Sequence, residues 1–134
     1  MLPTFVRQAL ADEPLTVYGD GSQRRCFCHV LDTVDAIVRL MAAHHAVGDV
    51  LNIGVEEEIT ILELARKVRE IIGSRSEVRL IPYQETYGGG FEDMERRQPD
   101  ISKIRRAVGW EPSRTLDHII DETVAFHRAV GVAR

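Results

Sequence analysis

The chain has 134 residues, 44% hydrophobic and 28% charged, a globular balance that supports one packed domain and leaves little room for two independent cores. Its formal charge of -4, from 17 Lys plus Arg against 21 Asp plus Glu, argues against a nucleic-acid binder, which normally shows a basic face, although the arginines cluster locally. No window approaches the ~20 apolar residues of a membrane span, and Met1-Leu2-Pro3-Thr4 opens no signal-peptide pattern, so the expectation is a reducing, cytoplasmic protein.

Leu2, Phe5, Val6, Ala9 and Leu10 follow helical spacing up to the Asp12-Glu13-Pro14 turn. Leu15-Thr16-Val17-Tyr18 reads as a short strand, Gly19-Asp20-Gly21-Ser22 as a turn, and Cys26 to Val30 as a second extended run. Asp32 or Thr33 can cap the next helix, whose apolar stripe is Val34, Ile37, Val38 and Met41 and which frays before Gly48. Val50 to Gly54 is a nearly continuous apolar run of the kind that lies buried in a sheet.

Thr60 and Glu63 stand at the N-cap and N3 positions of a capping box. Ile61, Leu64, Ala65, Val68, Ile71 and Ile72 form the apolar face of that helix, and Gly73 supplies its stop. Glu77 to Pro82 reads as a strand. Gln84 to Gln98, with Gly88-Gly89-Gly90, has no periodicity and reads as a long loop. Asp100 is expected to cap a short helix carrying Ile101, Ile104 and Val108, closed by Gly109, and a last helix starts at Thr115. The fold class is α/β: a small mixed domain of short strands and about five helices.

Two arginine pairs stand out. Arg24 and Arg25 follow the glycine-rich turn, and Arg96 and Arg97 precede Pro99-Asp100. A guanidinium suits phosphate because its planar fork donates two parallel hydrogen bonds and stays charged at any relevant pH. Two such loops could clamp one diphosphate, although spacing alone favours solvated surface arginines. Val17 and Tyr18 could flank an aromatic base or simply belong to a sheet. Cys26, Cys28 and His29, with His44 or His45, suggest zinc, but one residue between cysteines fits a tetrahedral site poorly. His44 and His45 suit a helix end, His118 and His127 show no partner, and Glu56-Glu57-Glu58 reads as a solvated face before a helix start. No P-loop, nucleophile elbow, metalloprotease pattern or dinucleotide fingerprint occurs.

Taken together, Pro3 to Ala9, Pro14 to Asp32, Val50 to Gly54, Ile59 to Ala65 and Arg96 to Pro112 resemble the C-terminal, substrate-binding part of extended short-chain dehydrogenase/reductases acting on nucleotide sugars. That family includes UDP-glucose 4-epimerases, UDP-glucuronate decarboxylases and dTDP-glucose 4,6-dehydratases. The resemblance implies an extended Rossmann-type reductase without its nucleotide-binding N-terminal half, with residues 1–134 as one substrate-binding domain. It implies that Arg25 and Arg97 contact the diphosphate of a UDP- or dTDP-sugar, that Val17 and Tyr18 lie against the base, and that Tyr87 and Phe91 reach towards the sugar. Arg24 and Leu31 depart from the family pattern, which more often has threonine and an acidic residue there.

Such enzymes use NAD and a Tyr-x-x-x-Lys pair, both in the N-terminal part. Here Tyr18, Tyr83 and Tyr87 are followed four residues on by Ser22, Tyr87 and Phe91. The resemblance therefore implies no catalytic residue, cofactor or metal held by this chain, with NAD in the complete enzyme. It also implies that segment 32–54 packs on the cofactor domain, so that a second copy of the chain, a homodimer, could cover that surface instead. The rival reading is a non-catalytic interaction or regulatory domain derived from the same fold. Epimerisation, dehydration and decarboxylation are not separable on these residues.

Overall fold

The computed structural model describes residues 1–82 and 96–131. Five α-helices are found among them: α1 (Leu2–Leu10), α2 (Val30–Met41), α3 (Ile61–Ile72), α4 (Ser102–Val108) and α5 (Leu116–Ala129). Five short strands join them: β1 (Leu15–Tyr18), β2 (Arg24–Arg25), β3 (Ile59–Thr60), β4 (Val78–Ile81) and β5 (Arg96–Arg97). The mixed α/β class and the helix number expected from the sequence hold.

β1 pairs in parallel with β4, Leu15 opposite Val78 and Tyr18 opposite Ile81. A second sheet has the order β3-β2-β5, antiparallel on one side of β2 and parallel on the other. The main core lies between α1, β1, α3 and α5, where Phe5, Val6, Leu15, Val17, Leu64, Val68 and Ile120 are buried. Buried Gln8 ties α1 to β1, its Nε2 donating to Thr16 Oγ1 at 3.0 Å and its Oε1 accepting from the Thr16 amide at 3.2 Å. The expectation of one core needs amending. A satellite cluster of Ala36, Ile101, Ile104 and Trp110 holds α2 to α4.

The α3 capping box forms as read, Thr60 Oγ1 accepting from the Glu63 amide at 3.1 Å and Glu63 Oε2 from the Thr60 amide at 3.0 Å. Gly73 and Gly109 close α3 and α4 in the left-handed conformation. Other expectations are corrected. α2 begins at Val30, capped by His29 rather than Asp32 or Thr33, and the strand expected at Cys26 to Val30 lies instead at Arg24–Arg25. Its apolar stripe faces solvent: Val34 is 48% exposed, Ile37 47%, Val38 60% and Met41 80%, whereas Asp32 and Ala36 are the buried positions.

Val50 to Gly54 is not a strand, because no ladder partner faces it among the described residues. Side chains hold it instead. Asn52 Nδ2 donates to the Asp100 carbonyl at 3.2 Å, Lys103 Nζ donates to the Val50 carbonyl at 3.1 Å, and Gly54 lies so close to Pro99 that a Cβ would fall 2.7 Å from its Cγ. Asp100 caps α4 from one residue further out than expected, accepting from the Ser102 amide at 2.8 Å. His44 and His45 form a 3₁₀ turn after α2, and His45 Nε2 donates to the Ala107 carbonyl at 2.9 Å. His118, read as partnerless, completes a second capping box with Thr115 at the start of α5.

Candidate functional site

The glycine-rich turn is built to be docked. Asp20 Oδ1 accepts from the Ser22 amide at 2.9 Å and from the Ser22 hydroxyl at 2.7 Å, which holds its carboxyl below the usual range. Gly21 has φ +74°, and a Cβ there would stand 2.8 Å from Leu62 Cβ and 2.9 Å from Val17 Cγ1. That close approach lets the Gly21 carbonyl accept from the Leu62 amide at 3.1 Å and the Gln23 carbonyl from the Ile61 amide at 3.0 Å. The turn thereby satisfies the first orphan donors of α3 and fixes where β2 leaves it.

β2 then carries Arg24 and Arg25 between two strands. Arg24 lies opposite Arg96 and Arg25 opposite Arg97 in the parallel ladder with β5. Side chains alternate faces along a strand, and in-register partners share one, so Arg25 and Arg97 project together and Arg24 and Arg96 project together. Two pairs that the sequence places on separate loops become one four-guanidinium ladder. Cys26 continues it, its thiol donating to the Arg97 carbonyl at 3.4 Å; burial, then the Glu58 charge, push that thiol up, with Arg96 opposing.

The two faces are compensated differently. Glu58 grips Arg96 with both carboxylate oxygens, 2.8 and 3.0 Å from Nε, and this hydrogen bond holds the Glu58 carboxyl below its ordinary value. Arg96 Nη2 donates to Gln98 Oε1 at 2.8 Å, and Gln98 Nε2 donates to the Glu56 carbonyl at 2.7 Å. Glu58 is thus no solvated acid; its side chain is only 10% exposed. Among the described residues the Arg97 guanidinium, which is exposed, has no hydrogen bond or ion pair.

The remaining candidates fall in different places. Val17 is wholly buried in the main core, so the exposed side chain of β1 is that of Tyr18, at 38%. Tyr18 ends β1 on the other sheet, one glycine turn before Arg25. Tyr87, with Tyr83 and Phe91, lies outside the described residues. Among the described residues no group of three His, Cys, Asp or Glu could hold a metal. His29 is buried at the α2 N-terminus. Its Nδ1 accepts from the Leu31 amide at 3.1 Å, which puts the proton on Nε2, 2.9 Å from Glu122 Oε2. Sequence reasoning missed Glu58, Gln98 and His29. Histidine is an unusual N-cap, and pairing across 38 residues leaves no local signal.

The geometry defines an α/β domain in which Arg24, Arg25, Arg96 and Arg97 share one short strand ladder. A family model described as GDP-mannose 4,6 dehydratase matches residues 1–123. The chain is 34% identical over 130 residues to the UDP-N-acetyl-alpha-D-glucosaminuronate decarboxylase of Bacillus cytotoxicus, covering 97% of this chain and 40% of that protein. Among solved structures, the UDP-glucose 4-epimerase of Thermotoga maritima with UDP-glucose superposes with a TM-score of 0.82 at 27% identity, over 94% of this chain and 38% of the epimerase. The dTDP-glucose 4,6-dehydratase of Bacillus anthracis with NAD does so with a TM-score of 0.82 at 26% identity, over 97% and 39%. The chain belongs to this family of NAD-dependent nucleotide-sugar epimerases and dehydratases, within the extended short-chain dehydrogenase/reductases. It spans about 40% of the length of these relatives.

Proposed function

We propose that these 134 residues are the nucleotide-sugar-binding part of an NAD-dependent epimerase, dehydratase or decarboxylase. The observation that carries this reading is the register of Arg25 with Arg97 on adjacent strands, which sets two guanidinium charges on one face for one diphosphate, Arg25 Nη1 also donating to the Arg24 carbonyl at 2.7 Å. UDP is the first expectation for the nucleotide and dTDP the second, with Tyr18 beside the base and Tyr87 towards the sugar. NAD and the acid/base tyrosine belong to the remaining length of the complete enzyme, since hydride transfer needs them and no Tyr-x-x-x-Lys occurs here. The polypeptide by itself is expected to bind without turnover, in a reducing, cytoplasmic setting that keeps both cysteines as thiols.

The exposed stripe of α2 supports a second element. In the complete enzyme segment 32–54 packs against the cofactor domain, and in this chain alone a second copy covers it. The same stripe favours the rival reading, an interaction domain derived from the fold, which would keep the docking face and lose the nucleotide.

Titrating the 134-residue chain with UDP by calorimetry tests the reading. Binding is expected, and the Arg25→Ala, Arg97→Ala double variant should lose it while staying folded. A folded wild type that ignores both UDP and dTDP would leave the interaction domain standing. Formation of a 4-keto sugar on incubation with NAD would overturn the claim of binding without turnover.

A further inference from the structure

We propose that Glu58 is the positioning residue of the arginine ladder: its two-oxygen hold on Arg96 keeps β5 paired with β2 and so keeps Arg97 beside Arg25. The nucleotide-diphosphate reading supplies only what the arginines hold; the positioning claim concerns the chain itself.

Four guanidinium groups on two adjacent two-residue strands repel one another, and ladders this short contribute few hydrogen bonds to oppose that. Something must hold β5 in place. Below β5, buried Ile101 and Pro99 against Gly54 anchor the chain only from residue 99 onward. Beyond its short ladder with β2 and the Cys26 thiol on the Arg97 carbonyl, the stretch 96–98 is fastened by side chains reaching 56–58. Arg96 reaches Glu58, Arg96 also reaches Gln98, and Gln98 returns to the Glu56 carbonyl.

The Glu58 contact and the Gln98 contact both end on 56–58, the segment that runs directly into β3, and β3 is the other neighbour of β2. Glu58 therefore links the two outer strands across the central one. The alternating pleat completes the logic. Arg96 and Arg97 face opposite ways, so fixing Arg96 on the Glu58 side turns Arg97 to the Arg25 side.

Two explanations of Glu58 predict opposite signs. If it were merely a nearby negative charge, removing it would make the surroundings more positive and tighten the hold on an anion. If it is a brace, removing it frees β5 and weakens that hold. Glu57→Gln is the matched control, because exposed Glu57 carries the same charge one residue away and has no ion pair among the described residues.

The test compares wild type, Glu58→Gln and Glu57→Gln by hydrogen exchange of the peptide covering 96–98 and by UDP titration. The expected result is exchange at least tenfold faster and UDP binding at least tenfold weaker in Glu58→Gln. Glu57→Gln should exchange like wild type and bind UDP equally or more tightly. Equal exchange in the two variants, or UDP held as tightly by Glu58→Gln as by Glu57→Gln, overturns the proposal. Should wild type not bind UDP, the nucleotide reading falls and the exchange comparison alone decides for or against the brace. Should Glu58→Gln not fold, Arg96→Lys takes its place. It keeps the charge but gives up the fork, and is expected to speed exchange at 96–98; unchanged exchange there overturns the proposal.

Discussion

The Trp110 indole donates from Nε1 to the main-chain carbonyl of Asp32 at 3.0 Å, inside the satellite core. The Asp32 carboxylate in turn accepts from the Ser113 amide at 3.1 Å, the Ser113 hydroxyl at 2.9 Å, the Arg114 amide at 3.0 Å and the Arg114 guanidinium. One buried acid therefore joins the first turn of α2 to the loop that leads into α5. Asp32→Ala should cost about 3 kcal/mol, since it strands several donors in a buried place. Trp110→Ala should cost about 4 kcal/mol through the cavity it leaves. Urea unfolding followed by circular dichroism measures both.

Asp32 also gives a sign to the acid limb of stability. Burial would raise its carboxyl, but the hydrogen bonds from Arg114 and Ser113 prevail and hold it below the usual value. A folded value below the unfolded one means that stability is full above the ordinary aspartate range and is lost as pH falls through the folded value. Glu63 and Asp100 are lowered in the same direction by hydrogen bonds from Thr60 and Ser102. The expectation is a flat urea midpoint from pH 7 to about 5 and a fall below pH 4. The gap between wild type and Asp32→Asn should close over that fall; a gap that widens with acid would contradict the assignment.

Two glycines with positive φ should separate cleanly. Gly73→Ala meets open space and should cost only about 1 kcal/mol, the penalty of the left-handed backbone. Gly21→Ala adds the clash with Leu62 and Val17 and should cost about 2 to 4 kcal/mol. It should also weaken UDP binding, because it lifts the turn that seats β2; Gly73→Ala should not.

The bare stripe of α2 should make the chain associate. With Val38 60% and Met41 80% exposed, and Val47 and Val50 exposed nearby, light scattering should report a mass that rises with concentration. Val38→Lys with Met41→Lys should return the chain to a monomer with little change in stability. A wild type that stays monomeric at high concentration would refute this.

Much of the fold was legible because its signals are local. The Thr60/Glu63 box, the Gly73 and Gly109 stops and the spacing in α1 and α5 lie within a few residues of the structure they specify. What failed was long-range. Val50 to Gly54 has strand composition, but a strand needs a neighbour, and the side chains of Asn52 and Lys103 hold it instead, on the Asp100 and Val50 carbonyls. Asp32, like Thr33, has the chemistry of a cap, but its carboxylate is spent on residues 81 and 82 positions away. The site itself was half legible. Residue chemistry offered two arginine pairs and the family resemblance chose Arg25 and Arg97 among them, whereas their register and the brace at Glu58 depend on strands that meet only after folding. The resemblance implies a base contact at Val17, whereas the alternation along β1 turns that side chain inward, as an ordinary sheet residue.

The segments that build the arginine ladder are far apart along the polypeptide: Cys26 and Arg97 touch across 71 residues. On a ribosome, the first pair of arginines emerges long before the second, and no shorter nascent species can present the assembled ladder. A ligand held there gains nothing from partly folded intermediates and rewards only the finished chain. Ligand capture thus doubles as a report that synthesis and folding have both reached the second pair.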